Sequence, residues 1–296
     1  MTCGKFIKLK LIRKGKVKDI YETNDNTLIF SFSDRISAFD VILNDEIPYK
    51  GKILCDFALF WFKILKGKNH FRRRIDANKI EVAKMDMIPI ECVVRSYLYG
   101  SLYSRYLQNA IDISGTEEFF ADKNLQLASK LPGLVFDPTT KSDQHDIPLT
   151  EREIVKDKLV SQTELMQIKK LSLELFRQVN ATVSASGFVL SDIKFEFGKD
   201  PKTGEIMLGD SIGPDEFRIW NKADYQVGQI QDSYDKQILR DWLEEIGFRQ
   251  EVEKCNNNIS KLSIPKLPKD IIEKVSQRYV DAYERIAGGT FARLDY

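Results

Sequence analysis

A mixed fold of antiparallel strands and helices is what this sequence predicts, and three stretches predict it. From Val189 to Phe197 the residues alternate, with Val189, Ser191, Ile193, Phe195 and Phe197 on one side of an extended strand and Leu190, Asp192, Lys194 and Glu196 on the other. The turn-forming GKDPKTG then leads into EIMLGD, so Phe188–Pro214 reads as a β-hairpin ending in a further carboxylate, Asp210. Near the N-terminus, GKVKDIYE and TLIFSFSD read as two strands around a turn at Asn24-Asp25-Asn26. Between these regions Thr150 and Glu153 have the spacing of a capping box. They open helical sequence that runs to Ser184, with room for one break, along a stripe of Leu165, Ile168, Leu171, Leu175, Phe176 and Val179.

Composition bounds what such a chain does. Its 296 residues suffice for two or three small domains around a substantial core, and 43% hydrophobic with 30% charged residues is an ordinary soluble balance. A formal net charge of +1 supplies no global field to recruit nucleic acid or an anionic membrane, so any anionic ligand depends on local clusters. Cys3, Cys55, Cys92 and Cys255 are widely spaced and form no CxxC pair, which speaks against a zinc site or a disulfide framework and for a reducing, cytoplasmic setting. No apolar run approaches a membrane span, since the longest, Ile53–Leu65, is broken by Asp56 and Lys63. With only His70 and His145 in the chain, histidine-based metal or triad chemistry is not expected.

Taken in order, the first strand carries Lys16 and Lys18 on one face beside Gly15, a pattern that suits phosphates but more often marks a solvated face. Asp34, Arg35 and Ser37 follow an apolar strand directly, where ligands commonly bind, although Asp34 and Ser37 also suit capping. The breaker-rich Pro48-Tyr49-Lys50-Gly51-Lys52 introduces a helix over Ile53–Leu65, with Leu54, Phe57, Ala58, Trp61 and Leu65 at helical spacing. Ile88–Val94 reads as a buried strand with Arg95 at its end. Gly100-Ser101 then interrupts an aromatic, helix-like stretch, and an arginine near a Gly-Ser pair suits an anion clamp. From Ile113 to Ile147 the chain is turn-rich and aperiodic, and its Lys141, Asp143, His145 and Asp146 suit either a substrate-facing or a solvated loop. Helices over Lys236–Glu245 and Lys269–Ala287 flank a proline-interrupted linker at Ile264–Pro268.

The ordered set GKVKDIYE, SDRISAFDVIL, PYKGK, ECVVRSYLYGS, SDIKFEFG, GDSIGPDEFRIW and QDSYDKQILRDWL resembles the SAICAR synthase family of de novo purine biosynthesis, in its longer form, from about Gly15 to Leu243. The resemblance implies an α+β, ATP-grasp-like architecture: an N-terminal antiparallel β lobe with one helix over residues 1–87, rather like a kinase small lobe, a central α/β part binding ATP and substrate over 88–247, and a C-terminal linker and helix over 248–296. It implies that ATP, L-aspartate and carboxyaminoimidazole ribonucleotide give SAICAR, ADP and phosphate through an acyl phosphate. By motif, Lys16 and Lys18 match ATP-phosphate contacts, and Glu196 and Asp210 match magnesium and ATP ligands. Lys194 matches the contact to the transferred phosphoryl group, with Asp192 holding it. Arg95, Gly100, Ser101 and Arg218 match the groups that hold the ribonucleotide phosphate and carboxylates, Arg218 also counting as catalytic. Asp34, Arg35, Ser37, Lys50, Lys52, Lys141, Asp143 and His145 match further substrate contacts. A monomer or homodimer is expected.

The acid often found after the second magnesium ligand is missing, since Ser211 follows Asp210 here. Strict alternation would also place Asp210 with Ile206 and Leu208, so a bulge near Gly209 is expected to turn it. A polyol kinase using a similar Asp-x-Lys strand and a noncatalytic nucleotide-binding protein are the competing readings.

Overall fold

The computed structural model describes residues 9–23, 25–121, 123–141, 147–234, 236–255 and 262–293. The chain forms two compact units, one of Met1–Ile64, Asn69–Met85 and Ile238–Tyr296, the other of Leu65–Lys68 and Asp86–Gln237.

The first unit opens with β1 (Lys10–Lys14), β2 (Lys18–Glu22), β3 (Thr27–Phe32), β4 (Arg35–Ala38), β5 (Val41–Glu46), α1 (Lys50–Ile64), β6 (Phe71–Asp76) and β7 (Lys79–Ala83). Five of its strands form an antiparallel sheet in the order β1-β2-β3-β7-β6, and β4 pairs with β5. Phe30, Phe32, Ile80 and Val82 from the sheet and Ile53, Leu54, Phe57, Ala58 and Trp61 from α1 are buried, which is the apolar face that spacing predicted for the helix. The helix starts at Lys50, three residues before its expected start. Its first turn is capped from a distance: Asp34 Oδ1 accepts a hydrogen bond from the Gly51 N–H at 2.7 Å. Gly51 is there for closeness, because a Cβ at that point would lie 2.8 Å from the Phe32 carbonyl oxygen.

The second unit contains β8 (Asp86–Met87), β9 (Ile90–Tyr97), α2 (Gly100–Leu107), β10 (Lys130–Phe136), β11 (Thr139–Thr140), α3 (Glu151–Lys156), α4 (Gln162–Ala185), β12 (Phe188–Phe195), β13 (Phe197–Lys199), β14 (Ile206–Leu208) and β15 (Phe217–Asn221). Its main sheet runs β10-β9-β12-β15 with β11 added on β9, and β14-β13-β8 form a small second sheet. The capping box at Thr150 and Glu153 is present. A second one at Ser161 and Glu164 starts α4, and this is where the long helical stretch breaks. Leu165, Ile168, Leu175, Phe176 and Val179 are buried beneath α4, with Leu171 at the margin.

Three expectations are corrected here. Arg95 lies inside β9, not past its end, because Glu91 and Arg95 continue the strand as buried charged residues where an apolar run was expected to stop. Gly100 and Ser101 open α2 and do not interrupt it; Gly100 enters at φ +57°, which glycine adopts at little cost. The 113–147 region holds β10, β11 and a short 3-10 turn at Glu117–Phe120. Pro132 and Gly133 hide β10 from periodicity, and its edge position is where proline is tolerated.

The chain ends with α5 (Gln237–Glu245), α6 (Phe248–Lys254) and α7 (Lys269–Ala287), the last with the bounds its sequence suggested and terminated by Gly288 at φ 73°. In the first unit α7 packs on α1, with the Phe57 and Tyr283 rings 5.2 Å apart, edge to face. Cys55, Cys92 and Cys255 are free thiols, and burial pushes Cys55 up to about 12 and raises Cys92 further. Among the described residues no helix is long and apolar enough to cross a membrane.

Candidate active site

Two neighbouring strands in the second unit bring the charged residues together. β12 pairs antiparallel with both β9 and β15, and the register sets Asp192 opposite Arg95 on one side and Arg218 on the other. A register shift between Leu190 and Asp192 lets Ser191 turn back, so that its hydroxyl donates to Asp192 Oδ2 at 2.9 Å, while Arg218 Nη1 donates to the same oxygen at 3.3 Å. The Arg218 guanidinium lies 5.0 Å from the Tyr99 ring centre and passes the bare Cα of Gly100, where a Cβ would meet it at 2.8 Å. Arg95 donates from Nη2 to the Ser101 hydroxyl at 3.0 Å and from Nε to Asp137 at 2.6 Å.

One step along β12, Lys194 Nζ lies 2.8 Å from Glu91 Oε1 on β9 and 3.7 Å from Glu196 Oε1, and Lys141 Nζ bonds the other Glu196 oxygen. Burial pushes the Lys194 pKa down, but Glu196 and Glu91 together push it further up, and the net result is well above the ordinary lysine value. Lys194 is thus a fixed cation at neutral pH and not a base.

The bulge expected near Gly209 is not found in the β13–β14 pairing, which runs without a register shift. β14 stops at Leu208, and the Gly209 N–H donates to the Glu196 carbonyl at 2.9 Å, so Asp210 follows one residue beyond a backbone contact to Glu196. Its Oδ1 accepts from the Ser211 N–H at 2.6 Å. Among the described residues there is no cluster of three or more His, Cys, Asp or Glu side chains able to hold a metal.

The first unit holds the remaining candidates. Lys16 pairs with Asp40 at 2.5 Å, and Lys18 Nζ lies 4.7 Å from the Phe30 ring centre. Arg35 bonds Asp19 at 2.6 Å and the Gly15 carbonyl at 2.9 Å, which braces the loop carrying Lys16. Ser37 and Lys50 are buried. Lys52, also buried, pairs with Asp56 at 3.0 Å and faces the Phe291 ring at 3.9 Å. Asp143, His145 and Asp146 lie outside the described residues.

Sequence reasoning missed Glu91, Asp137, Arg105 and the buried Lys236–Asp215 pair at 3.0 Å. For Glu91 a signal existed: Glu91 and Arg95 are four apart in the quoted ECVVR, hence on one face of a strand, as Asp192, Lys194 and Glu196 are on theirs. Only the pairing of β9 with β12 joins the two patterns.

Antiparallel sheets carrying a lysine–glutamate cluster beside arginine-rich contacts define an α+β protein with a charged candidate site. A family model described as SAICAR synthetase matches residues 11–255. The phosphoribosylaminoimidazole-succinocarboxamide synthase of Nitrosopumilus maritimus is 45% identical over 281 residues, covering 95% of this chain and 99% of that protein. Its namesake in Saccharomyces cerevisiae is 33% identical, covering 96% of each. Among solved structures, the Saccharomyces cerevisiae SAICAR synthase complexed with SAICAR superposes with a TM-score of 0.80 at 31% identity over 99% of each chain. A SAICAR synthetase in complex with ADP superposes at 0.72 and 25%, over 97% of this chain and 100% of that one. The chain belongs to the SAICAR synthetase family. It is an enzyme, of the ligase class, with a place in purine biosynthesis.

Proposed function

We propose that the protein joins L-aspartate to carboxyaminoimidazole ribonucleotide at the expense of ATP, through an acyl phosphate, releasing SAICAR, ADP and phosphate. The chemical need is clear: a carboxylate is a poor electrophile toward an amine until its oxygen is made a phosphate leaving group. The observation that carries the reading is Lys194 held between Glu91 and Glu196, whose carboxylates favour its charged form. A fixed cation in a half-buried site stabilises charge that develops during phosphoryl transfer. Two similar structures, one complexed with SAICAR and one with ADP, support the choice of product and nucleotide.

In this reading Lys194 meets the transferred phosphoryl group, braced by Glu91 where the motif had suggested Asp192, and Asp192 braces Arg218. Arg95, Ser101 and Arg218, with the bare backbone of Gly100, hold the phosphate and carboxylates of the ribonucleotide. Lys141 joins them as a substrate contact; for the first unit, taken by itself, the motifs propose Asp34, Arg35, Ser37, Lys50 and Lys52 as substrate contacts. Lys16 and Lys18 neutralise ATP phosphates. Magnesium fits the donor chemistry of Glu196 and Asp210, because this cation is commonly held by one or two carboxylates and completed by phosphate oxygens. It would supply charge neutralisation for the nucleotide, while Lys141 and Lys194 balance Glu196. A cytoplasmic setting goes with the free thiols.

The test is ADP release from ATP and magnesium with the carboxylated ribonucleotide, with and without L-aspartate. Release that depends on aspartate is expected; turnover unchanged by its omission overturns the synthase reading.

A further inference from the structure

We infer that Arg105 and Asp137, to which neither the sequence motifs nor the proposed mechanism gives a role, complete the anion clamp of Arg95 and Ser101. Asp137 is the positioning residue that aims Arg95, and Arg105 is a second cation for the anion held there. The inference rests on the proposed ribonucleotide site and specifies how that site takes its phosphate.

Four observations carry it. Asp137 Oδ2 accepts from Arg95 Nε at 2.6 Å and from Arg105 Nη2 at 2.5 Å, so one carboxylate serves two guanidiniums. That carboxylate is out of water, with its side chain 2% exposed, and Arg95 and Arg105 are 8% and 15% exposed. Ser101 and Arg105 are four residues apart on α2, hence on one face of the helix, and Ser101 accepts from Arg95. The Nε–H of Arg105 is buried and finds no acceptor among the described residues, so the guanidinium keeps a donor to spare.

Charge bookkeeping points the same way. Arg95 and Arg105 share the single carboxylate of Asp137, which is two cations against one carboxylate in that triad. Buried charge of one sign is costly unless a partner neutralises it. A phosphate monoester does so, and it accepts from planar guanidinium forks in a way that no neutral group matches. Asp137 holds Arg95 by its Nε, which leaves the Nη edge to Ser101 and the ligand.

The experiment uses the full chain with Arg105→Gln, Arg105→Lys and Asp137→Asn. Ribose 5-phosphate serves as the binding probe by calorimetry, and KM is measured separately for the ribonucleotide, ATP and L-aspartate. Arg105→Gln is expected to weaken ribose 5-phosphate binding and raise the ribonucleotide KM at least about tenfold, leaving the ATP KM within about twofold. Arg105→Lys should recover part of that loss, because it restores charge without the fork. Asp137→Asn should raise the same KM; should it fail to fold, the two Arg105 variants decide. Wild-type affinity for ribose 5-phosphate in Arg105→Gln overturns the inference. So does a loss that moves all three KM values alike and tracks a lowered melting temperature. If the wild-type protein binds ribose 5-phosphate in an Arg105-dependent way yet releases no ADP in response to aspartate, the synthase reading fails and the clamp stands.

Discussion

Lys52 and Lys194 both sit about hydrogen-bond distance from a carboxylate, at 3.0 Å and 2.8 Å, and they teach opposite lessons. Lys52 pairs with Asp56 one helical turn away on α1, both side chains about a tenth exposed, with the Phe291 ring closing over the ammonium and Arg74 reaching the other Asp56 oxygen at 3.0 Å. Every partner in that set is supplied by the fold. Lys194 is a third exposed, contacts two glutamates of which one, Glu196, is shared with Lys141, and lies on a strand face beside an arginine clamp. Distance alone does not distinguish the two lysines; exposure and stoichiometry of partners do. A sealed pair organises a core, and a half-open cluster of mixed charges can exchange partners with a ligand.

The comparison breaks first at the open cluster. Lys194→Ala or Glu196→Ala is expected to cut turnover by roughly 10³-fold or more while far-ultraviolet dichroism and melting temperature stay near wild type; near-normal turnover in either folded variant removes the assignment. The sealed pair should respond in the opposite currency. Lys52→Met is expected to lower unfolding free energy by about 3 kcal/mol, since Asp56 keeps Arg74 but loses one of its two cations in the interior. Denaturant titration measures that, and the ribonucleotide KM of the folded variant tests the binding role proposed for Lys52. Gly100→Ala sharpens the view of the clamp. Its φ of +57° strains any side chain and its Cβ meets Arg218, so a stability loss of about 1–2 kcal/mol should accompany a raised ribonucleotide KM.

The smallest effect belongs to a partly exposed pair. Glu164 is bonded by Lys199 at 2.5 Å and by the Ser161 cap, which holds its carboxyl at about 2. A depressed folded pKa means the stabilisation is present above the unfolded value of about 4.3 and is lost as pH falls toward about 2. Glu164→Gln should therefore cost about 1 kcal/mol at pH 7 and progressively less in melts run from pH 5 down to pH 2.

Much of this was legible from residues alone because the signals were local. Capping boxes at Thr150 and the stripe under α4 follow from helix periodicity, and α7 kept its bounds because Pro268 and Gly288 punctuate it. Alternation put Asp192, Lys194 and Glu196 on one face before any pairing was known. β10 was not legible, since an edge strand tolerates Pro132 and Gly133 and so loses its pattern. α6 was missed as well, because it is only one short run, Phe248–Lys254, set off by Gly247 at φ 79°. The early start of α1 was hidden because its cap, Asp34, is 17 residues upstream.

The sequence by itself determined the α4 and α7 helices, the family resemblance and which strand carries the acid–base–acid face, since each depends on residue types at short spacing. Only the tertiary structure decided which groups that face meets. Placing β9 beside β12 set Glu91 against Lys194 and Arg95 against Asp192, and folding the 130–141 segment back on β9 brought Asp137 to Arg95 and Lys141 to Glu196. The physical reason is that strand register is fixed by burial over the whole sheet, whereas a charge carries no information about its partner until register brings the two within a few ångströms.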